Sequence, residues 1–244
     1  MKAFLLVAVV ATSPTGMDLY AGEAYGQPDA PLVAEVLGTE IRTSDPEEMQ
    51  YVVLGKLTDH YAADNRITVQ QDEIEAYVAS MDRIAEQDRK EREARRTEIA
   101  GKLASQNLSS DERESLSSEL ATLGELDSML GASGETSAED RAAQREIGAA
   151  VVRQWKINQA LFRQYGGRVI FQQGGPEPLD AYRRFLEDAE KRNAFRILDS
   201  SLEPVFWRYY RTDSIHSFYP PGSDEEASAF ETPWWLMENP DGVQ

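Results

Sequence analysis

The chain has 244 residues but no cysteine and only two histidines. The absence of cysteine excludes a disulfide, a lipid-modified cysteine and a thiol nucleophile. His60 precedes Asp64 by four residues, a helical spacing. His216 follows Asp213 by three. Each pair offers two metal ligands, whereas a protein site usually needs three or more. We therefore expect no metal and no other cofactor.

Motifs of common catalytic sites are also missing. The sequence has no Gly-x-Ser-x-Gly, Ser-x-x-Lys or His-Glu-x-x-His pattern. Two glycine pairs, Gly166-Gly167 and Gly174-Gly175, bracket a short apolar run, but the lysine and hydroxyl of a phosphate-binding loop are absent. We interpret the first pair as a helix end and the second as a turn, with a short strand at 168–172 between them. The sequence thus favours a protein without catalytic residues.

Basic residues are scarce: Lys and Arg number 25 against 43 Asp and Glu, a net charge of −18. An acidic surface repels phosphates, so neither nucleic acid nor an anionic membrane is expected as a partner.

Long apolar runs are absent except near the N-terminus, where Lys2 precedes the apolar stretch 3–11. This stretch has the length of a signal-peptide core and is too short to span a bilayer. We expect a signal peptide at 1–26, with cleavage after Ala24 or Gly26, export to the periplasm and no stable membrane insertion afterwards. A buried N-terminal strand is the alternative.

Helical periodicity dominates what is present. Val33, Val36 and Ile41 around Gly38 indicate a strand and turn, and 44–47 (SDPE) is typical of a helix start. A second helix is predicted to begin with Thr68 as N-cap. Residues 82–130 carry interleaved charges broken at 107–110, which indicates a helical hairpin. A long helix is expected over 138–165, with a largely apolar circumference that includes Ile147.

These patterns predict a mainly α fold with a small β element and a long helical hairpin. Residues 169–171 are expected to pair with the strand at 33–36, and 194–198 form a further short strand. The last residues are expected to be irregular and docked through Trp234, Trp235 and Leu236. The predicted segments are a signal peptide (1–26), a first helical part (27–81), the charged hairpin (82–130), a closing long helix with a short strand and further helices (131–218) and an acidic tail (219–244).

Two stretches resemble the N-terminal domain of SurA-type periplasmic chaperones and parvulin-linked foldases: VAEVLGTEI at 33–41, and ITVQQDEIEAYV at 67–78. The helix REIGAAVVRQWKINQALFRQY at 145–165 is similar to the helix that closes that domain. The resemblance implies a SurA N-terminal or trigger-factor-like helical fold. It also implies binding of unfolded polypeptides such as outer-membrane proteins. No parvulin domain is recognisable in the sequence.

The first functional hypothesis is therefore an ATP-independent periplasmic chaperone that binds unfolded or extended polypeptide. Its clients are expected to bind aromatic and apolar side chains between two helices: Tyr61, Ile74, Tyr77, Val78, Met81, Trp155, Phe162 and Tyr165. Two alternatives stay open. One is a dedicated assembly partner of a single envelope protein, and the other is a foldase related to peptidyl-prolyl isomerases, the activity expected if the protein is an enzyme.

Overall fold

The computed structural model describes residues 25–105, 107–130, 137–172 and 174–237. Over these residues the protein is mainly helical with a small β element, which confirms the predicted class. Residues 1–24, which carry most of the predicted signal peptide, lie outside the described residues. The elements in chain order are β1 Tyr25–Gly26, β2 Leu32–Val36, β3 Thr39–Arg42, α1 Pro46–Asp64, α2 Gln71–Leu103, α3 Ser110–Leu130, α4 Ala138–Tyr165, β4 Ile170–Gln172, β5 Gly175–Glu177, α5 Leu179–Lys191, β6 Phe195–Ile197, α6 Glu203–Arg211 and α7 Asp224–Ser228.

The chain divides into two compact units, the first comprising Met1–His60 and Leu186–Arg211. Its described part holds a sheet in the order β1-β3-β2-β6. Leu37 and Gly38 have φ of 50° and 78°, which lets β2 return directly as antiparallel β3. Phe195 on β6 and Phe206 on α6 are buried, with ring centroids 5.3 Å apart. This unit therefore has its own aromatic core.

The predicted pairing of 169–171 with 33–36 is wrong. Ala34–Val36 pairs with Phe195–Ile197 instead, and β4 pairs with β5 in a separate two-stranded sheet. The reason is local, because Gly175 has a φ of 103° and turns the chain back within a few residues. Closing so short a loop costs less conformational entropy than closing a long one.

The second unit comprises Tyr61–Phe185 and Thr212–Gln244, and α2 is its longest described helix. This helix is continuous across residues 81 and 82, so the charged segment extends the helix that carries Tyr77. The expectation that Thr68 is the N-cap of α2 is wrong. Gln70 is the N-cap, and its N–H donates to Glu73 Oε2 at 2.7 Å. A carboxylate three residues after the cap is a stronger acceptor than the Gln71 amide that Thr68 would require.

The charged hairpin of α2 and α3 is confirmed. Arg95 Nε donates to Glu119 Oε1 at 2.8 Å, and Arg92 Nε donates to Asp127 Oδ1 at 3.0 Å, both across the two helices. Ile99 is fully buried at 0% exposure. The hairpin thus combines ion pairs between the helices with a buried apolar contact.

The long helix α4 begins and ends as its sequence predicts. Ser137 Oγ accepts the Asp140 N–H at 3.0 Å, and Gly166, with a φ of 59°, donates its N–H to Phe162 O at 2.8 Å. Ile147 is 52% exposed and does not line the core as expected. Its neighbour Gly148 faces Tyr77, and successive helical residues point about 100° apart.

Candidate binding groove

A groove lies between the first turns of α2 and the middle of α4. Helix α2 contributes Ile74, Tyr77, Val78 and Met81, and α4 contributes Val151, Val152 and Trp155, all in one apolar cluster. The α2 residues recur at i, i+3, i+4 and i+7, which places them on one face of the helix. We call these seven residues the α2–α4 groove.

Gly148 allows the two helices to approach closely beside this groove. A Cβ at Gly148 would lie 3.0 Å from Tyr77 Cδ1 and 3.4 Å from Ile74 Cγ2. The 3.0 Å distance is tighter than most contacts of real Cβ atoms, so the Tyr77 ring would have to give by a few tenths of an ångström. The small residue therefore sets the width of the groove on this side.

Ion pairs hold α2 and α4 together along the rim. Lys156 Nζ lies 2.6 Å from Glu73 Oε1, and Arg145 Nε lies 2.7 Å from Glu75 Oε1. Burial raises the pKa of Glu73, but hydrogen bonds from Lys156 and from the Gln70 N–H outweigh it and hold that pKa below its ordinary value. The carboxylate is thus charged near neutral pH and keeps its lysine partner.

The groove is occupied by the chain itself. Residues 233–237, which we call the tail segment, include a 3-10 helix at Trp234–Leu236. Trp235 is only 2% exposed, and its ring packs edge-on against Tyr77 at 5.4 Å and Trp155 at 5.9 Å. Ser80 Oγ donates a hydrogen bond to the Trp235 carbonyl. The predicted docking of the tail is confirmed for Trp235, whereas Leu236 is 45% exposed. The expectation that the last residues are irregular is wrong in part, because Asp224–Ser228 form α7 and Trp234–Leu236 a 3-10 helix, each begun by local backbone bonds.

Trp234 lies on the turn between β4 and β5. A Cβ at Gly175 would come within 2.4 Å of Trp234 Cδ1 and 2.5 Å of its Nε1. Gly175 also has a φ of 103°, which L side chains rarely adopt. The second glycine pair therefore serves the turn and leaves room for an indole ring.

One face of α4 holds the C-terminal region at two points. Phe230 packs on Phe162 at 5.0 Å, and its carbonyl accepts a hydrogen bond from Gln159 Nε2 at 2.6 Å. Trp235 packs on Trp155, seven residues earlier along α4. The segment from 230 to 235 therefore runs antiparallel to α4 across about two helical turns.

A cleft of about 240 Å³ stays open beside the tail segment. Trp155 is one of its lining residues, and the indole Nε1–H of Trp155 is buried with no hydrogen-bond partner among the described residues. The lining is mostly apolar, with two carboxylates at the edge: Asp72, Glu73, Ala76, Val152, Trp155, Pro233, Trp235 and Leu236. The cleft thus has the chemistry of a site for an apolar side chain.

The eight residues predicted to bind clients fall into separate clusters. Ile74, Tyr77, Val78, Met81 and Trp155 share the α2–α4 groove. Phe162 instead packs on the cluster that holds Phe230. Their contact with a client stays a prediction, because the tail segment occupies the groove.

Tyr61 and Tyr165 form the remaining cluster, and both pack on Phe185, at 5.3 Å and 6.3 Å between ring centroids. The Tyr61 hydroxyl pairs with Gln164 Oε1 at 2.9 Å. Burial raises the pKa of Tyr61, so its hydroxyl stays protonated at neutral pH.

Sequence reasoning missed Gly148, Ser80, Val151 and Val152. Gly148 and Ser80 lack apolar side chains and so carry no hydrophobic signal, although both lie at helical spacing from residues that line the groove. Val151 and Val152 lie within the helix predicted at 138–165, but the prediction did not assign them to the site.

Across residues 25–105, 107–130, 137–172 and 174–237, no three His, Asp or Glu side chains gather as metal ligands would. None of the described helices is both long and apolar enough to cross a bilayer. No protein-family model, curated protein or solved structure matches the chain.

Proposed function

We propose that this protein is a chaperone-like protein that binds extended, aromatic-rich polypeptide in the α2–α4 groove. One observation carries the proposal: the groove holds a Pro-Trp-Trp-Leu segment of the same chain. Tyr77 and Trp155 contact that segment through their rings, a mode of binding that tolerates different apolar sequences. Such tolerance is what a chaperone needs for varied clients.

Binding of this kind needs no ATP. An aromatic side chain that buries 150–250 Å² contributes roughly 4–6 kcal/mol gross at about 25 cal/mol per Å². The cost of ordering the client offsets much of this free energy, so one or two anchors give weak, reversible binding. The net charge of −18 keeps complexes apart by repulsion.

Export to the periplasm and kinship with the SurA N-terminal domain belong to the same proposal. They are supported by the N-terminal apolar stretch and by the motifs at 33–41 and 67–78. Of the two cleavage positions, only the one after Ala24 retains Tyr25, the first residue of β1. N-terminal sequencing of the protein from a periplasmic fraction tests this, with Tyr25 as the expected first residue.

The function is tested by the aggregation of a chemically unfolded outer-membrane porin, followed by light scattering. We expect the protein to suppress aggregation in molar excess, and Trp235→Ser, which removes a ring that occupies the groove, to suppress it at a lower ratio. Met129→Ser is the matched control for Trp235→Ser, because Met129 is 85% exposed on α3 and is not part of the groove cluster. Absence of suppression at every ratio, in wild type and Trp235→Ser alike, would refute the chaperone function.

A second candidate is a dedicated assembly partner that uses the hairpin of α2 and α3. The observation in its favour is that Met129 and Leu126, near the end of α3, are 85% and 39% exposed. A crosslinking pull-down from an envelope fraction distinguishes the two. One stoichiometric partner lost with Met129→Ser supports the second candidate, and many substoichiometric clients support the first.

A further inference from the structure

We infer that the tail segment is a tethered competitor of clients, which keeps the α2–α4 groove closed until a client or partner displaces it. The inference deepens the proposed function and rests on it. It also defines the chemistry that the groove recognises: a short turn of proline, two consecutive aromatic residues and an aliphatic residue.

The contacts of the tail segment are those of a ligand more than those of a sheet or helix in the core. Its backbone bonds Leu236 N–Pro233 O and Met237 N–Trp234 O are internal to the segment. The Trp235 carbonyl is bonded by a side chain, that of Ser80. Release of the segment therefore breaks side-chain contacts and leaves the hydrogen-bonded ladders of α2 and α4 intact.

The surroundings of the segment also leave a route for displacement. Leu236 and Met237 are 45% and 37% exposed, although Trp235 beside them is buried. The open cleft of about 240 Å³ lies between the segment and α2 and α4. A client side chain can enter this cleft while Trp235 is still bound, and its backbone can then replace the tail stepwise.

Tethering makes the competition strong. A segment on a short linker has an effective concentration in the millimolar range. Suppose that tail and client each bind the groove with a Kd of about 10 μM. A tail at an effective concentration of about 1 mM then makes the closed form roughly 100-fold more populated than the open form. The apparent Kd of a client then rises by about the same factor.

The test uses a fluorescent peptide with the sequence of residues 230–237, FETPWWLM, and full-length protein. We expect Trp235→Ser to lower the Kd of this peptide at least tenfold relative to wild type, measured by anisotropy. Trp207→Ser is the matched control, because Trp207 is equally buried at 2% exposure but lies in the other unit. The inference would be overturned if the peptide bound wild type and Trp235→Ser with equal affinity, or if Trp207→Ser raised the affinity as much as Trp235→Ser.

A second experiment does not depend on how Trp235→Ser folds. The chain has no cysteine, so Ser80→Cys/Leu236→Cys introduces a single pair. Ser80 bonds the carbonyl of the residue before Leu236, which brings the two positions close. We expect oxidation to lock the tail in place and weaken peptide binding at least tenfold, with recovery on reduction. Failure to crosslink, or no effect of oxidation on binding, would contradict a closing tail.

Porin aggregation separates this inference from the proposed function. If Trp235→Ser binds the tail peptide more tightly but no variant protects porin, the groove is closed by its own tail and the chaperone function is refuted. If wild type protects porin, and neither Trp235→Ser nor the oxidised Ser80→Cys/Leu236→Cys disulfide changes that protection, the role of the tail is refuted and the chaperone function stands.

Discussion

Gly175→Ala directly tests whether Trp234 is held on the turn between β4 and β5. The substitution adds one methyl group, and that group would lie 2.4 Å from Trp234 Cδ1. It also forces a non-glycine residue to a φ of 103°. We expect the variant to fold but to lose stability and to displace Trp234.

The magnitude follows from two separable costs. Holding alanine at a positive φ costs about 1–2 kcal/mol. Relieving the overlap with the indole adds about 1–3 kcal/mol, as for other overpacked sites. Gly222→Ala isolates the first cost, because Gly222 has a φ of 73° and a Cβ there meets nothing within 4 Å. We therefore expect Gly175→Ala to lower the free energy of unfolding by about 2–5 kcal/mol and Gly222→Ala by about 1–2 kcal/mol.

Urea denaturation followed by circular dichroism measures the free energy of unfolding of both variants. The indole N–H resonance of Trp234, assigned by Trp234→Phe, reports the displacement of the ring. The tail peptide should also bind more tightly to Gly175→Ala than to Gly222→Ala, because the tail is loosened in only one of them. A Gly175→Ala variant no less stable than Gly222→Ala, with an unshifted resonance, would refute the contact.

Two further predictions concern the same unit. Asp180 is buried; its burial raises its pKa, but hydrogen bonds from Arg168 outweigh this and hold the pKa below the ordinary value. As pH falls, Asp180 therefore takes up its proton in the unfolded state before it does so in the folded state. The Asp180–Arg168 pair thus stabilises the fold above about pH 4, and this contribution is lost at lower pH. Asp180→Asn should therefore cost about 2 kcal/mol at pH 7 and flatten the loss of stability below pH 4 in urea titrations; an unchanged acid profile would contradict this. Ile99→Ala should cost about 2–4 kcal/mol and speed hydrogen exchange in α2 and α3 but not in β2 and β3; uniform protection loss would show that the hairpin has no local stability of its own.

Local signals in the sequence were sufficient for most of the helices. The Ser137–Asp140 capping box marks the start of α4 and Gly166 marks its end. Both could be predicted because each cap involves residues within one turn of the helix end. Interleaved charges predicted the hairpin, because a helix that carries them can stay exposed on one face. The apolar stripe of Ile74, Tyr77 and Met81 was likewise readable from its period. These features depend on neighbours a few residues away, so sequence order alone specifies them.

Strand partners and the occupant of the groove depended on the tertiary structure. Residues 33–36 are short and apolar, and nothing in their pattern distinguishes 169–171 from 195–197 as a partner. The local hairpin of β4 and β5 takes up 170–172, and β2 pairs with 195–197 although that loop is longer. Trp235 and Tyr77 lie 158 positions apart, yet their rings are 5.4 Å apart.

The sequence by itself determined a mainly helical, acidic, cysteine-free protein with an apolar stripe on α2 and apolar and aromatic residues along α4. Only the tertiary structure decided that a pair of tryptophans near the C-terminus lies between α2 and β5, with Trp235 against Tyr77 and Trp234 on Gly175. The physical reason is that apolar attraction has no direction. The sequence shows which side chains leave water, and close packing in three dimensions selects which of them meet.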